Sequence, residues 1–294
     1  MKKINYIELG ATLFVPATHK NLSDIVSGKK YPTLRSVLID CEDGIRNSEL
    51  DEALAILKEL LLSYEKGKLL VFIRPKNSEV LKEILAFENI EKIDGFILPK
   101  FSLKNAEEYL SLFENREFLL MPSIEGEELF NFCKLSELKD MLLQHKEKII
   151  LVRFGLEDLL KQLDMKRGCS HGVFDLSAPS VVVGNFIATF KSAGFGVSGG
   201  VYPCFKDAGG FIKDVKRDLK EGLFSKTIIH PNHIDITNEL YKVTLKDYEE
   251  ATEILKSKKS TFAQGGKMAE PVTMTPYSLN IVKRAEVYGI LPLP

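Results

Sequence analysis

The sequence predicts an α/β protein, a closed (β/α)₈ barrel followed by a C-terminal helical extension, and three observations support this prediction. Eight short segments rich in apolar, β-branched or aromatic residues recur along the chain. Amphipathic segments separate most of them, and no Pro/Gly/Ser-rich linker divides the chain into halves. Nearly continuous apolarity is typical of strands covered on both faces of a parallel sheet. Eight strand–helix alternations favour one barrel over two doubly wound domains.

The predicted strands follow one another at intervals that leave room for a helix between them. In chain order they begin at Ala11, Ser36, Leu69, Asp94, Phe118, Ile149, Gly194 and Thr227, and the last two are the weakest. The first strand ends within the sequence FVPATHK, and this segment lacks the G-x-G-x-x-G pattern that follows the first strand of a dinucleotide-binding fold. A barrel is therefore preferred to a Rossmann-type sheet.

Two helical segments show the other half of the alternation. After the second strand, Leu54, Leu57 and Leu61 recur at helical spacing. The uncharged run over 176–190 contains proline and glycine and is shorter than the ~20 residues of a membrane span. We expect it to form a buried helix with Pro179 in the first turn.

Composition excludes several classes of protein. The 294 residues are 45% hydrophobic and 28% charged, which is typical of a globular chain with a core and not of a disordered one. With 40 Lys and Arg against 41 Asp and Glu, the net charge of -1 argues against a nucleic-acid-binding surface. Asn5 and Glu8 interrupt the first apolar stretch, so we expect no signal peptide and no membrane partner.

The cysteines bear on the compartment. Cys41, Cys133, Cys169 and Cys204 form no C-x-x-C pair and are widely spaced, so the sequence predicts neither a zinc site nor a disulfide scaffold. We expect a protein of the reducing cytoplasm.

The chain end differs in character from the barrel. We expect the barrel domain over 1–246 and the extension over 247–294, where a helix, a loop with Gly265 and Gly266, and a last helix follow one another.

Polar side chains follow the predicted strands at their C-terminal ends, where a barrel of this class places its active site. They are Asp40, Glu42, Asp43, Arg74, Lys100, Glu125, Glu157, Asp158 and His230. Glu125 and Asp158 come from adjacent strands, and two carboxylates that leave room for water and substrate suit magnesium. Arg74 provides a two-pronged donor for a carboxylate or phosphate.

Each of these residues also has a structural interpretation. Glu157 is as consistent with a helix N-cap or a surface charge as with a role in the site. Arg74 is also consistent with an ion pair to a neighbour, but the many acids at the same end of the barrel favour a functional role. His230 and His233 resemble a metal pair, but the intervening Pro231 favours a structural turn. Glycines 199 and 200 lack the Lys or Ser/Thr that would follow them in a phosphate loop.

An ordered set of motifs links the chain to a known family. It carries, in order, LFVP, SVLIDCEDGI, FIRPKN, ILPKF, PSIEGEEL, FGLEDLL, FKDAGGF and IHPNHI. This order resembles the strand-end motifs of the citrate lyase beta subunit and malyl-CoA lyase superfamily. The FVPATHK segment, the R-P-x-N motif and the E-P pair near the C-terminus resemble its branch associated with tellurium-resistance gene clusters.

The resemblance implies a magnesium-dependent (β/α)₈ lyase. Glu125 and Asp158 would bind Mg²⁺, and Glu42 and Asp43 would hold metal-bound water. Arg74 would bind the carboxylate of an oxo acid, and we expect Lys100 to contact substrate beside it. Carbon–carbon bond cleavage next to a carbonyl builds charge on an enolate oxygen, which a Lewis acid stabilises.

The resemblance also bears on partners. The family takes an acid from the C-terminal extension, often of a neighbouring subunit, and Glu270 stands where that pattern has Asp, so we expect a homo-oligomer. Members that bind CoA begin R-S-x-L-F-x-P-G, whereas residues 10–17 are GATLFVPA and lack the phosphate-binding cation. Lys20, Lys29 or Lys30 could replace that phosphate-binding cation. The commoner case is that such lysines are solvated residues of the surface.

We therefore expect a lyase or aldolase that acts on a small 2-oxo acid, with or without an acyl-CoA partner. The alternative is a catalytically diverged barrel that serves as a binding or assembly partner.

Overall fold

The computed structural model describes residues 4–292. Its strands are β1 (Ala11–Pro16), β2 (Ser36–Asp40), β3 (Leu70–Arg74), β4 (Gly95–Leu98), β5 (Leu119–Ile124), β6 (Arg153–Phe154), β7 (Lys226–Ile228), β8 (Val243–Thr244), β9 (Phe262–Gln264), β10 (Lys267–Ala269) and β11 (Ile290–Leu291). Its α-helices are α1 (Leu22–Val26), α2 (Leu50–Ser63), α3 (Ser78–Ile84), α4 (Ala106–Ser111), α5 (Phe132–Leu143), α6 (Leu156–Gln162), α7 (Ser177–Ser192), α8 (Ala208–Lys220), α9 (His233–Leu240), α10 (Leu245–Lys256) and α11 (Pro271–Tyr288). Strand and helix alternate as far as α6, as the sequence predicts.

Seven strands form one parallel sheet in the order β6-β5-β4-β3-β2-β1-β7. The segment that precedes α8 joins the two edges of this sheet, because isolated parallel bridges connect Val152 to Val197 and Gly199 to Lys226. The sheet therefore curls round on itself, and the predicted barrel class is confirmed.

The segment predicted as the seventh strand, from Gly194, differs from a regular strand in forming only these bridges. Its glycines give the reason. A Cβ at Gly196 would lie 2.5 Å from Cγ of Tyr6, and one at Gly199 would lie 2.1 Å from Oδ2 of Asp218. Glycine in a strand marks such close approaches and weakens regular pairing.

The core explains why the strand segments are so apolar. Strands β2 and β5 are buried along their whole length, as expected for strands covered on both faces. In α2 the predicted positions Leu54, Leu57 and Leu61 are buried, which confirms that helix prediction. Pro179 lies in the first turn of α7 as predicted, but α7 is buried on one face only, and Val181 on it is exposed, so the prediction of a buried helix is wrong. One hydrophobic cluster contains Leu9, Leu38, Phe72, Ile97, Leu119, Met121, Ile150 and Leu151.

Crossing a bilayer requires a helix that is both long and apolar, and residues 4–292 contain none.

Contacts divide the chain into two compact units, Met1–Ile234 and Asp235–Pro294. In the second unit, α10 and α11 pack around Val243, Ala251, Ile281 and Ala285. Strands β9 and β10 form a hairpin whose turn residues, at 265 and 266, are glycines with φ of 56° and 78°, a conformation that favours glycine. The domain boundary after 246 stays a prediction.

The structure corrects the expectation for the cysteines. Cys169 and Cys204 form a disulfide with a Cα–Cα distance of 5.7 Å, although 35 positions separate them in the chain. The pairing joins the loop after α6 to the loop before α8, which are distant in sequence and adjacent in space. Cys41 is buried and Cys133 is exposed.

Strand β4 contains a glycine whose replacement tests the parallel pairing. A Cβ at Gly95 would lie 1.8 Å from the carbonyl oxygen of Leu119 on β5. We expect Gly95→Ala to lower the free energy of unfolding by about 3 kcal/mol, because the added atom forces β4 and β5 apart. Gly67→Ala, whose Cβ meets no described atom within 4 Å, is the control and should change it by less than about 0.5 kcal/mol. Equal urea midpoints for both variants would contradict the β4–β5 pairing.

Candidate active site

An ion pair between β2 and β3 organises the first part of the site. Asp40 and Arg74 are the last residues of these strands and lie opposite each other in the sheet register. Arg74 donates from Nε to Oδ1 of Asp40 at 2.8 Å and from Nη2 to Oδ2 at 2.7 Å. Asp40 also accepts the backbone N–H of Glu42 and of Gly44, each at 3.0 Å. One buried carboxylate thus orients the guanidinium and turns the chain after β2.

The turn after β2 brings more charge to the same place. Arg74 Nη1 lies 2.9 Å from Oε2 of Glu42, and Lys100 Nζ lies 2.5 Å from Oε1 of the same carboxylate. Burial raises the pKa of Glu42, and the neighbouring Arg74 opposes this rise. Asp43 is more exposed, at 3.8 Å from Arg74 and 3.6 Å from Lys100. Five of the predicted polar side chains, those of Asp40, Glu42, Asp43, Arg74 and Lys100, therefore form one charged group.

Lys100 occupies an unusual backbone conformation. Its φ of 47° lies in the left-handed region, which non-glycine residues seldom adopt. The side-chain amide of Asn105 donates to the Lys100 carbonyl oxygen at 3.0 Å and supports this turn. Such strain is characteristic of functional sites.

The carboxylate of Glu125 lies directly after β5 and is buried. Ser123 Oγ donates to Oε1 at 2.6 Å, while Oε2 has no hydrogen-bond partner within the described residues. Burial raises the pKa of Glu125 to about 7, against the hydrogen bond from Ser123, and the carboxylates of Glu42 and Asp158 raise it further. An unpartnered buried oxygen among like charges is an environment that a cation would stabilise.

A glycine allows α6, which carries Asp158, to begin against Glu125. Asp158 lies in the first turn of α6, half-buried. A Cβ at Gly155 would lie only 2.4 Å from Cγ of Glu125, so glycine allows α6 to begin against that side chain. Asp158 is therefore close enough to Glu125 to raise its pKa, whereas Glu157, beside Asp158 in the same turn, is exposed.

Sequence reasoning missed Gln162, at the end of α6. Its Nε2 donates to the carbonyl oxygen of Glu125 at 2.6 Å and to that of Asp158 at 3.1 Å. The side chain therefore ties together the backbones of both carboxylates. Gln162 lies one helical turn after Asp158, so its position on the same helix face was visible in the sequence. It was missed because it does not lie at the end of a strand.

The remaining predicted residues lie apart from this group or in the second unit. His233 stacks on Phe211 with ring centroids 3.6 Å apart, and His230 stacks on Phe205 at 4.6 Å. The backbone N–H of His233 donates to the His230 carbonyl oxygen, consistent with a turn. Glu270 occupies the N-cap position of α11 in the second unit without a side-chain capping bond, and Thr273 Oγ1 donates to its Oε2 at 3.1 Å.

The donor set fits magnesium better than a transition metal. No group of three or more His, Cys, Asp and Glu side chains arranged to hold a metal ion occurs in residues 4–292. Mg²⁺ commonly uses one or two carboxylates and completes its octahedron with water and substrate oxygens. Glu125, whose Oε2 has no partner among residues 4–292, and Asp158, whose charge raises the Glu125 pKa, match that requirement.

A curled parallel sheet with acidic side chains at the C-terminal ends of its strands defines a TIM-barrel protein with a candidate metal-dependent site. A family profile described as C-C bond lyase of the TIM-barrel fold matches residues 3–290. The chain belongs to this family of C–C bond lyases, and the resemblance to the citrate lyase beta subunit and malyl-CoA lyase superfamily is confirmed. The branch associated with tellurium-resistance gene clusters stays a prediction.

Individual relatives are distant in sequence. The citrate lyase subunit beta of Escherichia coli (strain K12) is 24% identical over 295 residues, covering 95% of this chain and 93% of that protein. CitE from Mycobacterium tuberculosis, in complex with magnesium, acetoacetate and coenzyme A, superposes with a TM-score of 0.71 at 17% identity, over 96% of this chain and 99% of that one. The citrate lyase beta subunit of M. tuberculosis complexed with oxaloacetate and magnesium has a TM-score of 0.62 at 16% identity, over 81% and 99%. These structural likenesses show the fold.

The raised pKa of Glu125 gives a prediction for the metal-free protein. Between the ordinary pKa of 4.5 and about 7, the folded protein holds a proton that the unfolded chain has lost. The protonated form of Glu125 therefore contributes fully to the free energy of unfolding below pH 4.5, and its contribution falls as the pH rises to about 7. We expect Glu125→Gln to remove that loss.

Urea denaturation in EDTA at several pH values between 4.5 and 8 measures this effect. Glu157→Gln, which changes an exposed carboxylate in the first turn of α6, is the matched control and should keep the wild-type profile. An unchanged pH profile in Glu125→Gln would show that Glu125 ionises normally.

Proposed function

We propose that the protein is a magnesium-dependent carbon–carbon lyase or aldolase that acts on a small 2-oxo acid. The observation that carries the proposal is the buried Glu125 carboxylate, with one unpartnered oxygen, next to Asp158 and close enough to Arg74 for that cation to lower its pKa. Membership of the C–C bond lyase family and the magnesium complexes of structural neighbours support it.

Glu125 and Asp158 would hold the ion. Bound Mg²⁺ supplies a Lewis acid where negative charge develops on the oxo oxygen during carbon–carbon bond cleavage or formation. Gln162 fixes the backbones of both carboxylates, and Ser123 orients the Glu125 carboxylate by donating to Oε1 at 2.6 Å. Glu42 and Asp43 would accept hydrogen bonds from metal-bound water at this edge of the barrel.

Arg74 is the proposed binding group for the substrate carboxylate. Asp40 occupies its Nε and one Nη2 proton, so the protons on Nη1 and the second on Nη2 are left for other acceptors. Glu42 lies at Nη1, and a substrate carboxylate would compete with it there. Lys100, more than half exposed, would then neutralise Glu42 and contact the substrate.

The rest of the proposal concerns partners and follows the family pattern. Glu270 of the C-terminal extension would supply an acid, and a homo-oligomer would bring it to a neighbouring barrel. The reaction partner is an acyl thioester or another carbonyl compound; the coenzyme A complex of a structural neighbour supports the first, and the absence of a basic residue in GATLFVPA favours the second.

Calorimetry tests the metal site. We expect the wild type to bind Mg²⁺ and both Glu125→Gln and Asp158→Asn to lose measurable binding, because each removes an anionic ligand. Glu157→Gln should bind Mg²⁺ like the wild type. If the wild type does not bind Mg²⁺, the carboxylates are structural and the diverged barrel that serves as a binding partner gains support.

Titration with pyruvate and oxaloacetate in saturating Mg²⁺ tests the substrate class. We expect Arg74→Ala to lose oxo-acid binding at least tenfold, as removal of a charge-assisted pair predicts, while it retains Mg²⁺. Arg74→Lys keeps a cation beside Asp40 and controls for misfolding. A ligand response only to acetyl-CoA would overturn the oxo-acid assignment.

The role of Gln162 gives a separate prediction. Gln162→Met keeps the length of the side chain and removes the donor to both carbonyl oxygens, so the two carboxylates lose their alignment. We expect Mg²⁺ affinity to fall about tenfold, as for other residues that orient metal ligands. Lys161→Met on the same exposed helix end is the control, and equal affinities in both variants would exclude the positioning role.

A further inference from the structure

Arg153, in β6, is a buried cation that the proposed reaction does not use. Its side chain is only 3% exposed. Nη1 donates to Oγ1 of Thr227 at 2.7 Å and to Oγ of Ser198 at 3.3 Å, and Nη2 donates to Oγ1 of Thr12 at 3.1 Å. Nε faces Sδ of Met121 at 3.4 Å. Every partner is neutral.

Lys226 and Arg167, two other buried cations of the barrel, form ion pairs, whereas Arg153 forms none with the part of the chain that the structure describes. Lys226 lies 2.5 Å from Asp214 and 2.6 Å from Asp218, and Arg167 lies 3.1 Å from Asp214. No carboxylate in residues 4–292 lies within ion-pair distance of Arg153. Burial, and then the nearby Arg74, lowers the pKa of Arg153 to about 9, so the guanidinium stays protonated at neutral pH.

This unpaired charge lies next to the candidate active site. The guanidinium carbon of Arg153 is 5.5 Å from the ring centroid of Phe14, and that of Arg74 is 5.3 Å from the same centroid. The two carbons are therefore separated by no more than the sum of these distances. A charge that no local acid cancels acts over such a distance, especially where little water screens it.

We propose that Arg153 is a specificity-determining residue that strengthens binding of anionic oxo acids at the adjacent Arg74, in proportion to the ligand's charge and at the expense of Mg²⁺ affinity. The proposal rests on the proposed function, since it concerns ligands of that site. It is based on the buried Arg153 guanidinium, whose hydrogen bonds go to neutral hydroxyl groups, and on the second guanidinium of Arg74 nearby.

Opposite changes for the two ligands distinguish this role from a structural one. A unit charge roughly 10 Å away in a medium of effective dielectric about 20 changes the affinity of a monoanion by about tenfold. Loss of the charge should therefore weaken a monoanion about tenfold, weaken a dianion more, and tighten Mg²⁺. A variant that only loosens the barrel would weaken all three.

The experiment compares wild type, Arg153→Met, Arg153→Gln and Arg153→Lys by calorimetry. Mg²⁺ is titrated alone, and pyruvate and oxaloacetate are titrated in saturating Mg²⁺. We expect both neutral variants to bind Mg²⁺ more tightly and pyruvate about tenfold more weakly, with a larger loss for oxaloacetate. Arg153→Lys should stay close to wild type, because it keeps the charge. Gln retains a donor to the hydroxyls, so it separates charge from hydrogen bonding.

Three outcomes would overturn the inference. Affinities for Mg²⁺ and oxo acids that fall together, or do not change, would assign Arg153 a structural role while leaving the proposed function intact. Unfolding of both neutral variants with a folded Arg153→Lys would show that the charge serves folding. A wild type that binds neither Mg²⁺ nor oxo acids would remove the proposed function, and this inference with it.

Discussion

The ion pair between Asp40 and Arg74 is the interaction on which the arrangement of the site depends. The two residues end neighbouring strands, and the sheet register alone places them side by side. Asp40 accepts two bonds from Arg74 and two from the backbone after β2, so one buried carboxylate orients the guanidinium and places Glu42. A buried charge that lost its partner would be strongly destabilising, which keeps both residues in this geometry.

Carboxylates outnumber cations around that pair. The acids are Asp40, Glu42, Asp43, Glu125 and Asp158, and the cations are Arg74, Lys100 and Arg153. Most of this charge is removed from bulk water. Burial raises the pKa of Glu125, the carboxylates of Glu42 and Asp158 raise it further, and a divalent cation would offset the excess negative charge. The same imbalance explains the role proposed for Arg153. Because this cation has no acid beside it, its charge partially offsets the negative field that would otherwise repel an anionic substrate.

The strands before the seventh could be predicted because their signal is local. A strand buried on both faces must be apolar throughout, as β2 and β5 are, and this is visible in sequence without knowledge of its neighbours. The seventh strand is reduced to bridges because Gly196 and Gly199 pass close to Tyr6 and Asp218, which are far away in the chain. The disulfide between Cys169 and Cys204 was missed for the same reason.

The sequence by itself determined the class of fold, the family and the side chains at the strand ends, since apolar periodicity and ordered motifs are properties of neighbouring residues. Only the tertiary structure decided how those side chains meet. It paired Asp40 with Arg74 and left one oxygen of Glu125 without a partner among the described residues. It also brought the Gln162 amide to two carbonyl oxygens. It also enclosed Arg153 among hydroxyl groups from β1, β7 and the bridging segment. Such contacts join residues that are far apart along the chain, and both burial and charge depend on every strand that surrounds them.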